Sequence, residues 1–217
     1  MKILNLYACL GGNRYLWGDE HEITAVELDP ELARMYQERF PNDTVIVADA
    51  HQYLLDHYKE FDFIWTSPPC PTHSVTNTFL NAQGVIRYPD MMLYEEIIFL
   101  KHFFKGRYCV ENVIPYYEPL IQAKKRGRHL YWTNFNLPNI LSNRAAPSMS
   151  MNKNRVKDNA KAFGDYHKID LTSYKGSQGK EKIARNLVDY EAGKTILDTA
   201  MGIIRKQNTN QTTIFDL

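Results

Sequence analysis

Cysteine is scarce in this chain: Cys9, Cys70 and Cys109 are the only three in 217 residues, far apart and in no C-x-x-C spacing. That excludes a disulfide framework and leaves no support for a zinc knuckle. Long charge-free apolar runs are missing, so no membrane span is expected. The opening Met1-Lys2-Ile3-Leu4-Asn5 enters a strand-like segment without a signal-peptide pattern, so the expected location is cytoplasmic. There is no internal repeat, which sets aside solenoids and propellers. Excess charge of one sign is missing too, the formal net charge being only +1, although the average hides a local bias. Between Arg144 and Lys182 nine cations stand against four carboxylates, a net +5, which reads either as a solvated loop or as a face that contacts phosphates.

What is present is a soluble composition, 44% hydrophobic and 24% charged, in a length that suits one domain with a sizeable core. Ile3 to Ala8 is a short apolar run followed by Gly11-Gly12, read as a first strand, a tight turn and a helix. Ile23 to Glu27 is a second strand. Asp29-Pro30-Glu31 then supplies a cap, a proline at the first helical position and an acid in the first turn, starting a helix that should end near Phe40. Val45 to Ala48 is a third strand and stops at Asp49. Phe61 to Trp65 is a fourth, halted by Pro68-Pro69 so that Cys70 stands on a stiff turn. Asp90 to Phe104 has helical spacing at Met91, Tyr94, Ile97, Ile98 and Phe104, and Gly106 closes it. Tyr108 to Val110 is a fifth strand leading into Glu111-Asn112-Val113, and Leu130 to Phe135 a later one. Asn136 to about Glu181 is polar and reads as a loop-built insertion or a small recognition unit. Ala184 to Arg205 reads as a helix. Alternating strands and helices argue for an α/β fold with a mostly parallel, doubly wound sheet.

In such a sheet ligands bind beyond the carboxyl ends of the strands. Gly11-Gly12, Glu27, Asp49, Pro69-Cys70 and Glu111 all fall at such ends. Glycines admit a ligand close to the backbone, an acid ending the second strand can accept from ribose hydroxyls, and one ending the third from an exocyclic amine. Together they describe a nucleoside-shaped cofactor, although each has a plain counterpart in a turn or a helix cap. Cys70 is a candidate nucleophile or a small buried hydrophobe. His73 reads as a local structural hydrogen-bond partner, Trp65 and Trp132 as core, and Val75 to Arg87 as a mobile polar loop.

The order and local sequences resemble the cytosine carbon-5 DNA methyltransferase family. Leu6-Tyr7-Ala8-Cys9-Leu10-Gly11-Gly12 looks like its F-x-G-x-G cofactor motif, Val26-Glu27-Leu28-Asp29 its ribose-binding segment and Ala48-Asp49-Ala50 its adenine-binding one. Ser67-Pro68-Pro69-Cys70 is similar to the nucleophile loop, Glu111-Asn112-Val113 to the ENV motif, Arg126-Gly127-Arg128 to the R-x-R motif, and Arg185-Asn186-Leu187-Val188 to the late G-N-x-V motif. Cys9 departs from the first motif glycine, Arg185 from the late one, and Pro71 stands where many members have glutamine.

The resemblance implies a Rossmann-like, S-adenosylmethionine-dependent fold and transfer of a methyl group to carbon-5 of a flipped cytosine in DNA. It makes Cys70 the nucleophile that adds to carbon-6, with Glu111 on ring N3 and Arg126 and Arg128 on the base carbonyl. The implied cofactor contacts are Tyr7, Ala8, Leu10, Gly11, Gly12, Glu27, Leu28, Asp49, Ala50, Pro69, Asn186 and Val188; the implied DNA contacts are Ser74, Asn77, Lys153, Arg155 and Lys157. No metal is needed. Residues 1–135 would form the catalytic core, 136–183 a short target-recognition region, 184–206 a helix returning to the core and 207–217 a tail. In that tail Gln211, Ile214, Phe215 and Leu217 are similar to the peptide by which bacterial DNA-processing proteins dock on the sliding clamp, or else pack on their own domain. An RNA cytosine-5 methyltransferase, transfer of a group larger than methyl, and a non-catalytic DNA- or clamp-binding protein of the same fold are the alternatives.

Overall fold

Strand β1 (Lys2–Leu6) shows how the layers form. Leu4 and Leu6 point to one face of the sheet and Ile3 to the other, and each joins a separate buried cluster. Strand β4 (Phe63–Thr66) is buried at every position, as expected of a central strand covered on both sides. In the computed structural model, which describes residues 1–147 and 156–203, seven strands form one sheet in the order β3-β2-β1-β4-β5-β7-β6. Here β2 is Glu22–Glu27, β3 Thr44–Val47, β5 Arg107–Val113, β6 Lys124–Arg126 and β7 His129–Thr133. The first five run parallel; β7 pairs antiparallel with β5, and β6 with β7. The chain order reverses direction between β1 and β4, so a crevice opens there beyond the strands' carboxyl ends.

Helices α2 (Ala50–His57) and α4 (Met92–Phe103) cover one face, contributing Leu54, Leu93, Ile97 and Leu100 to the cluster around Leu4, Ile64 and Val110. The other face carries α1 (Pro30–Arg39), whose Tyr36 packs with Ala25, and α7 (Tyr190–Ala200), whose Ile196 and Leu197 meet Phe63, Trp65 and Cys109. Asp29 caps α1 by accepting from the amides of Glu31 and Leu32, as its sequence predicts.

Several expectations need correction. No helix follows Gly12 among the described residues: Asn13 turns in to Asn5 (2.8 Å), Arg14 pairs with buried Asp43 through two 2.9 Å bonds, and Gly18 at φ +84° ends the single turn between them. The helix expected over residues 184–205 is two, α6 (Lys180–Asn186) and α7, because Asp189 accepts from the amide of Glu191 and restarts the chain after extended Leu187. The polar stretch before it holds α5 (Val156–His167), and the expected mobile loop holds α3 (Asn77–Ala82). On α4, Met91 and Ile98 are exposed while Leu93 and Leu100 take core positions. Gly106 does not adopt a left-handed cap; a Cβ there would lie 2.3 Å from the carbonyl of Asp62, so glycine is required for close backbone approach. Lys153 and Arg155, the side chain of Lys157, and residues 211–217 with their clamp-docking expectation lie outside the described residues.

Candidate active site

The turn after β1 is made by alternating backbone hands. Tyr7 (φ +54°), Cys9 (φ +47°) and Gly11 (φ +66°) are left-handed, a conformation that disfavours side chains, so the first two residues must be held there. The holding bonds are visible. The Ala8 amide donates to the Val26 carbonyl (3.0 Å), the Gly11 amide to the Ala8 carbonyl (2.8 Å), and the Cys9 amide to Glu27 Oε2 (2.8 Å). Cys9, where the family motif has glycine, sits half-buried beside that carboxylate, and burial followed by the charge of Glu27 pushes its thiol up to about 12. It is a packing residue, inert as a nucleophile.

Glu27 ends β2 and takes the Cys9 amide on one oxygen and the Asp29 amide on the other (2.9 Å), with burial pushing its carboxyl up against both bonds. Each oxygen keeps a second lone pair, so a hydroxyl can still be accepted. Leu28 beside it is 66% exposed, an open apolar surface suited to a flat ring. Asp49 follows β3, is exposed and caps α2 through the Gln52 amide (2.8 Å), with buried Ala50 behind it. Leu10 differs from its expected role: its side chain is buried with Leu32 and Phe163, and its carbonyl is taken by Arg39 (2.9 Å). Glu27, exposed Leu28 and exposed Asp49 stand at neighbouring strand ends and suit the hydroxyls, ring and amine of an adenosyl group, whereas Gly11 and Gly12 are buried, their bare faces packed on Phe40 and on the Val188 carbonyl instead of being left open to a ligand.

Val188 folds back on this turn. A Cβ on Gly12 would stand 2.5 Å from the Val188 carbonyl, and one on Gly193 would stand 2.2 Å from the Asn13 carbonyl. Residues 186–188 and α7 are therefore fitted against the first turn, with Asn186 exposed at the seam and the Val188 side chain buried in the core. The α5–α6 unit also lies on this side. Phe163, Leu171, Tyr174 and Ile183 pack with Leu10, Leu32 and Met35, and Gln178 Nε2 reaches Asp29 (3.1 Å).

On the other side of the crevice, Cys70 is half-buried on the turn after β4, with Pro68 buried beneath it and Pro69 exposed. Its carbonyl accepts from the amides of His73 (3.0 Å) and Ser74 (3.1 Å), which closes the turn. Asn112 Nδ2 donates to the Pro68 carbonyl (3.0 Å), tying the end of β5 to this loop. The neighbouring Glu111, 6% exposed, lies 3.6 Å from His129 Nε2. Burial and then the Glu111 charge raise the Cys70 thiol, while its own amide, Arg185 and Lys182 pull it down. The strand register places Glu111 opposite Tyr131 and brings the Gly127 turn beyond Val113. Gly127, at φ +58°, occupies the first position of the two-residue turn joining β6 to β7.

The two arginines of that turn differ. Arg126 donates Nε to the Pro138 carbonyl (2.6 Å) and Nη2 to that of Leu137 (3.2 Å), so it braces backbone instead of facing a base. Arg128 is exposed and makes no side-chain hydrogen bond among the described residues. Asn77 is 1% exposed and donates to the Pro71 carbonyl (2.8 Å), which removes it from the surface offered to DNA; Ser74 stays half-exposed, bridged to Pro115. His73 is buried with Nδ1 against Tyr117 Oη (2.6 Å), a structural role, and Trp65 and Trp132 are core. Tyr7 is half-buried and points its hydroxyl at Glu96 (2.6 Å), a residue that the sequence reading missed. A glutamate at a position flanked by core residues Leu93, Ile97 and Leu100 was the available signal.

No helix among the described residues is long and apolar enough to cross a membrane. Residues 1–103 match the family model for C-5 cytosine-specific DNA methylase. Curated proteins give no match by sequence. Among solved structures, a methyltransferase of Entamoeba histolytica superposes over 95% of this chain and 99% of its own, at a TM-score of 0.53 and 9% identity, which shows the fold. DNMT2 of Spodoptera frugiperda matches at 24% identity over 52% of this chain and 35% of that one, with a TM-score of 0.36. A putative DNA modification methyltransferase encoded within an Escherichia coli prophage matches at 17% identity over 54% and 33%, with a TM-score of 0.37. Over residues 1–103, the stretch that holds the Gly11-Gly12 turn, both acidic strand ends and the Cys70 loop, the chain is similar to the C-5 cytosine-specific DNA methylase family.

Proposed function

We propose that this chain is an S-adenosylmethionine-dependent methyltransferase acting on carbon-5 of cytosine in DNA, in the cytoplasm. The observation that carries the reading is the Asn112–Pro68 bond, which ties the Glu111 strand end to the Cys70 loop, in a sheet whose neighbouring strand ends carry Glu27, Leu28 and Asp49. S-adenosylmethionine, when bound, supplies an electrophilic methyl group. Tyr7, Ala8, Gly11, Gly12, Glu27, Leu28, Asp49 and Ala50, with Pro69 and Asn186 at the rim and Val188 behind, would hold it.

Carbon-5 of cytosine is a poor nucleophile, so the chain's part is to make it a good one. Cys70, as thiolate, adds to carbon-6; Glu111 shares a proton with ring N3 and offsets the charge that builds there. Arg128 is the arginine left to meet the base carbonyl. After transfer, loss of the carbon-5 proton expels Cys70 and restores the ring. A cytosine in a duplex is stacked and must flip to reach Cys70. The loop over residues 74–87 follows Cys70 directly, with Ser74 a candidate DNA contact and Lys153, Arg155 and Lys157 candidate phosphate contacts.

The test is mass analysis of nucleosides from duplex DNA and from RNA incubated with the protein and S-adenosylmethionine. Carbon-5-methylcytosine is expected in DNA and should vanish with Cys70→Ser. Product in RNA alone, or transfer that survives Cys70→Ser, overturns the reading.

A further inference from the structure

Glu96 has no exposed surface, yet no step of the proposed reaction uses it. It sits on the inner side of α4, where Leu93, Ile97 and Leu100 are the pattern. Taking a carboxylate out of water costs several kcal/mol, and a packed aliphatic residue is often at least as stable in such a place. Stability alone therefore does not account for a glutamate here.

Its partners do. Oε1 accepts from Tyr7 Oη at 2.6 Å and meets His51 Nδ1 at 3.1 Å; Oε2 accepts from Thr66 Oγ1 at 2.6 Å. Each partner belongs to a different part of the crevice. Tyr7 is the residue immediately after β1 and begins the left-handed turn to Gly11. His51 is in the first turn of α2, directly after Asp49 and Ala50. Thr66 is the last residue of β4, four positions before Cys70. One carboxylate thus fixes the starts of two loops and the first turn of α2, which no hydrophobic residue could hold together by direction.

The reach extends further. Tyr7 at φ +54° is in a conformation that disfavours an ordinary side chain, and its hydroxyl bond to Glu96 resists relaxation. Two residues on, the Cys9 amide is seated on Glu27 Oε2 at 2.8 Å. Releasing Tyr7 therefore unseats the groove-side carboxylate as well. We propose that Glu96 is a positioning residue that couples the cofactor crevice to the nucleophile loop through one buried carboxylate, an inference that rests on the crevice being the adenosyl site.

The test uses the full chain and S-adenosylhomocysteine as probe. Glu96→Gln keeps the size but leaves one acceptor oxygen for three donors. It should melt cooperatively, bind the probe at least tenfold more weakly by calorimetry, and transfer methyl more slowly at saturating cofactor. Tyr7→Phe should reproduce the affinity loss and Thr66→Val the slower transfer, and Tyr7→Phe combined with Glu96→Gln should be no worse in affinity than Glu96→Gln alone. Wild-type affinity in folded Glu96→Gln, or additive losses in the double variant, overturns the proposal. Should Glu96→Gln not fold, the Tyr7→Phe and Thr66→Val pair decides by the same split. If the wild type itself fails to bind the probe, the crevice reading falls, and hydrogen exchange then judges the coupling. Joint loss of amide protection at residues 7–9 and 66–70 in Glu96→Gln supports it, and unchanged protection overturns it.

Discussion

Gly12→Ala tests whether the late segment is truly fitted to the first turn. The added Cβ would lie 2.5 Å from the Val188 carbonyl oxygen and 3.1 Å from both the Val188 amide nitrogen and Leu187 Cβ. An ordinary contact begins at 3.4 Å, so the carbonyl has to retreat by roughly 0.9 Å. It has little freedom to do so. Val188 is strung between the end of α6 and the Asp189 cap of α7, and Gly193 one turn into α7 is already pressed on the Asn13 backbone. Gly12 itself is not in the left-handed region, so alanine adds no backbone strain and the effect is steric. Overpacking of this kind costs about 1–3 kcal/mol, and 2 kcal/mol lowers the melting temperature of a domain this size by about 4–8 °C. The assays are denaturant unfolding and calorimetric titration with S-adenosylhomocysteine, in which affinity should fall at least tenfold. Gly179→Ala, where nothing lies within 4 Å of the added atom, is the control: as the N-cap of α6 it should lose no more than about 1 kcal/mol of stability and keep wild-type affinity for the probe. A Gly12→Ala protein with wild-type stability and affinity would refute the packing of residues 186–188 on the crevice.

Two further predictions separate structural from chemical roles. Burial, backed by Arg144, Arg39 and Arg128 against Asp189, lowers His167 to about 4 from 6.5, so it is neutral in the fold and is charged in the unfolded chain below 6.5. The associated stability, up to about 3 kcal/mol, is complete above pH 6.5 and is lost as pH falls from 6.5 toward 4. Denaturant unfolding of wild type and His167→Gln across that window should converge toward acid, and a constant gap refutes the buried neutral imidazole. Arg126→Lys gives up the forked bonds to the carbonyls of Leu137 and Pro138 and should lower stability by about 1–2 kcal/mol while methyl transfer by the folded protein stays within twofold. Arg128→Lys should do the reverse, leaving unfolding unchanged and slowing transfer; equal activity losses in both would return Arg126 to the base.

The readable parts of the fold were those whose cause is local. Strands β1 to β5 follow from short apolar runs, and α1 from a cap, a proline and an acid in three consecutive residues. Helix α2 went unforeseen although a helix cap was the plain counterpart weighed for Asp49, because eight residues with two buried positions carry too little periodicity. The break between α6 and α7 was hidden for the opposite reason, since apolar spacing continues through a residue, Asp189, that acts as a cap. Within the candidate site, Cys70 and Glu111 stood out because their chemistry is unusual near strand ends. Asn77 and Arg126 were misassigned because a polar side chain spent on a neighbouring carbonyl looks the same in sequence as one offered to a ligand. Glu96 left only the signal of a glutamate among core positions, because a glutamate on a helix is ordinarily solvated and its partners lie 30, 45 and 89 residues away in the chain.

The electrostatics around Cys70 give the proposed chemistry an order of events. Burial and the Glu111 charge both raise the thiol, and the α6 cations Arg185 and Lys182 oppose them without reversing the shift. The nucleophile therefore rests as a thiol, protected from adventitious oxidation. Glu111 is the one contribution of these that a substrate can change. In the proposed reaction Glu111 takes up a proton from solvent as the cytosine binds and presents it to ring N3, which diminishes the negative charge that holds the Cys70 proton; the pull of Arg185 and Lys182 is then less opposed, and the thiol proton leaves to solvent as Sγ adds to carbon-6. Arg185, which stands where the family pattern has glycine, thereby acts toward the nucleophile as well as the cofactor seam. In that proposed reaction residue 111 would both activate the base and release the thiol, a coupling that needs Asn112 to keep the end of β5 against Pro68.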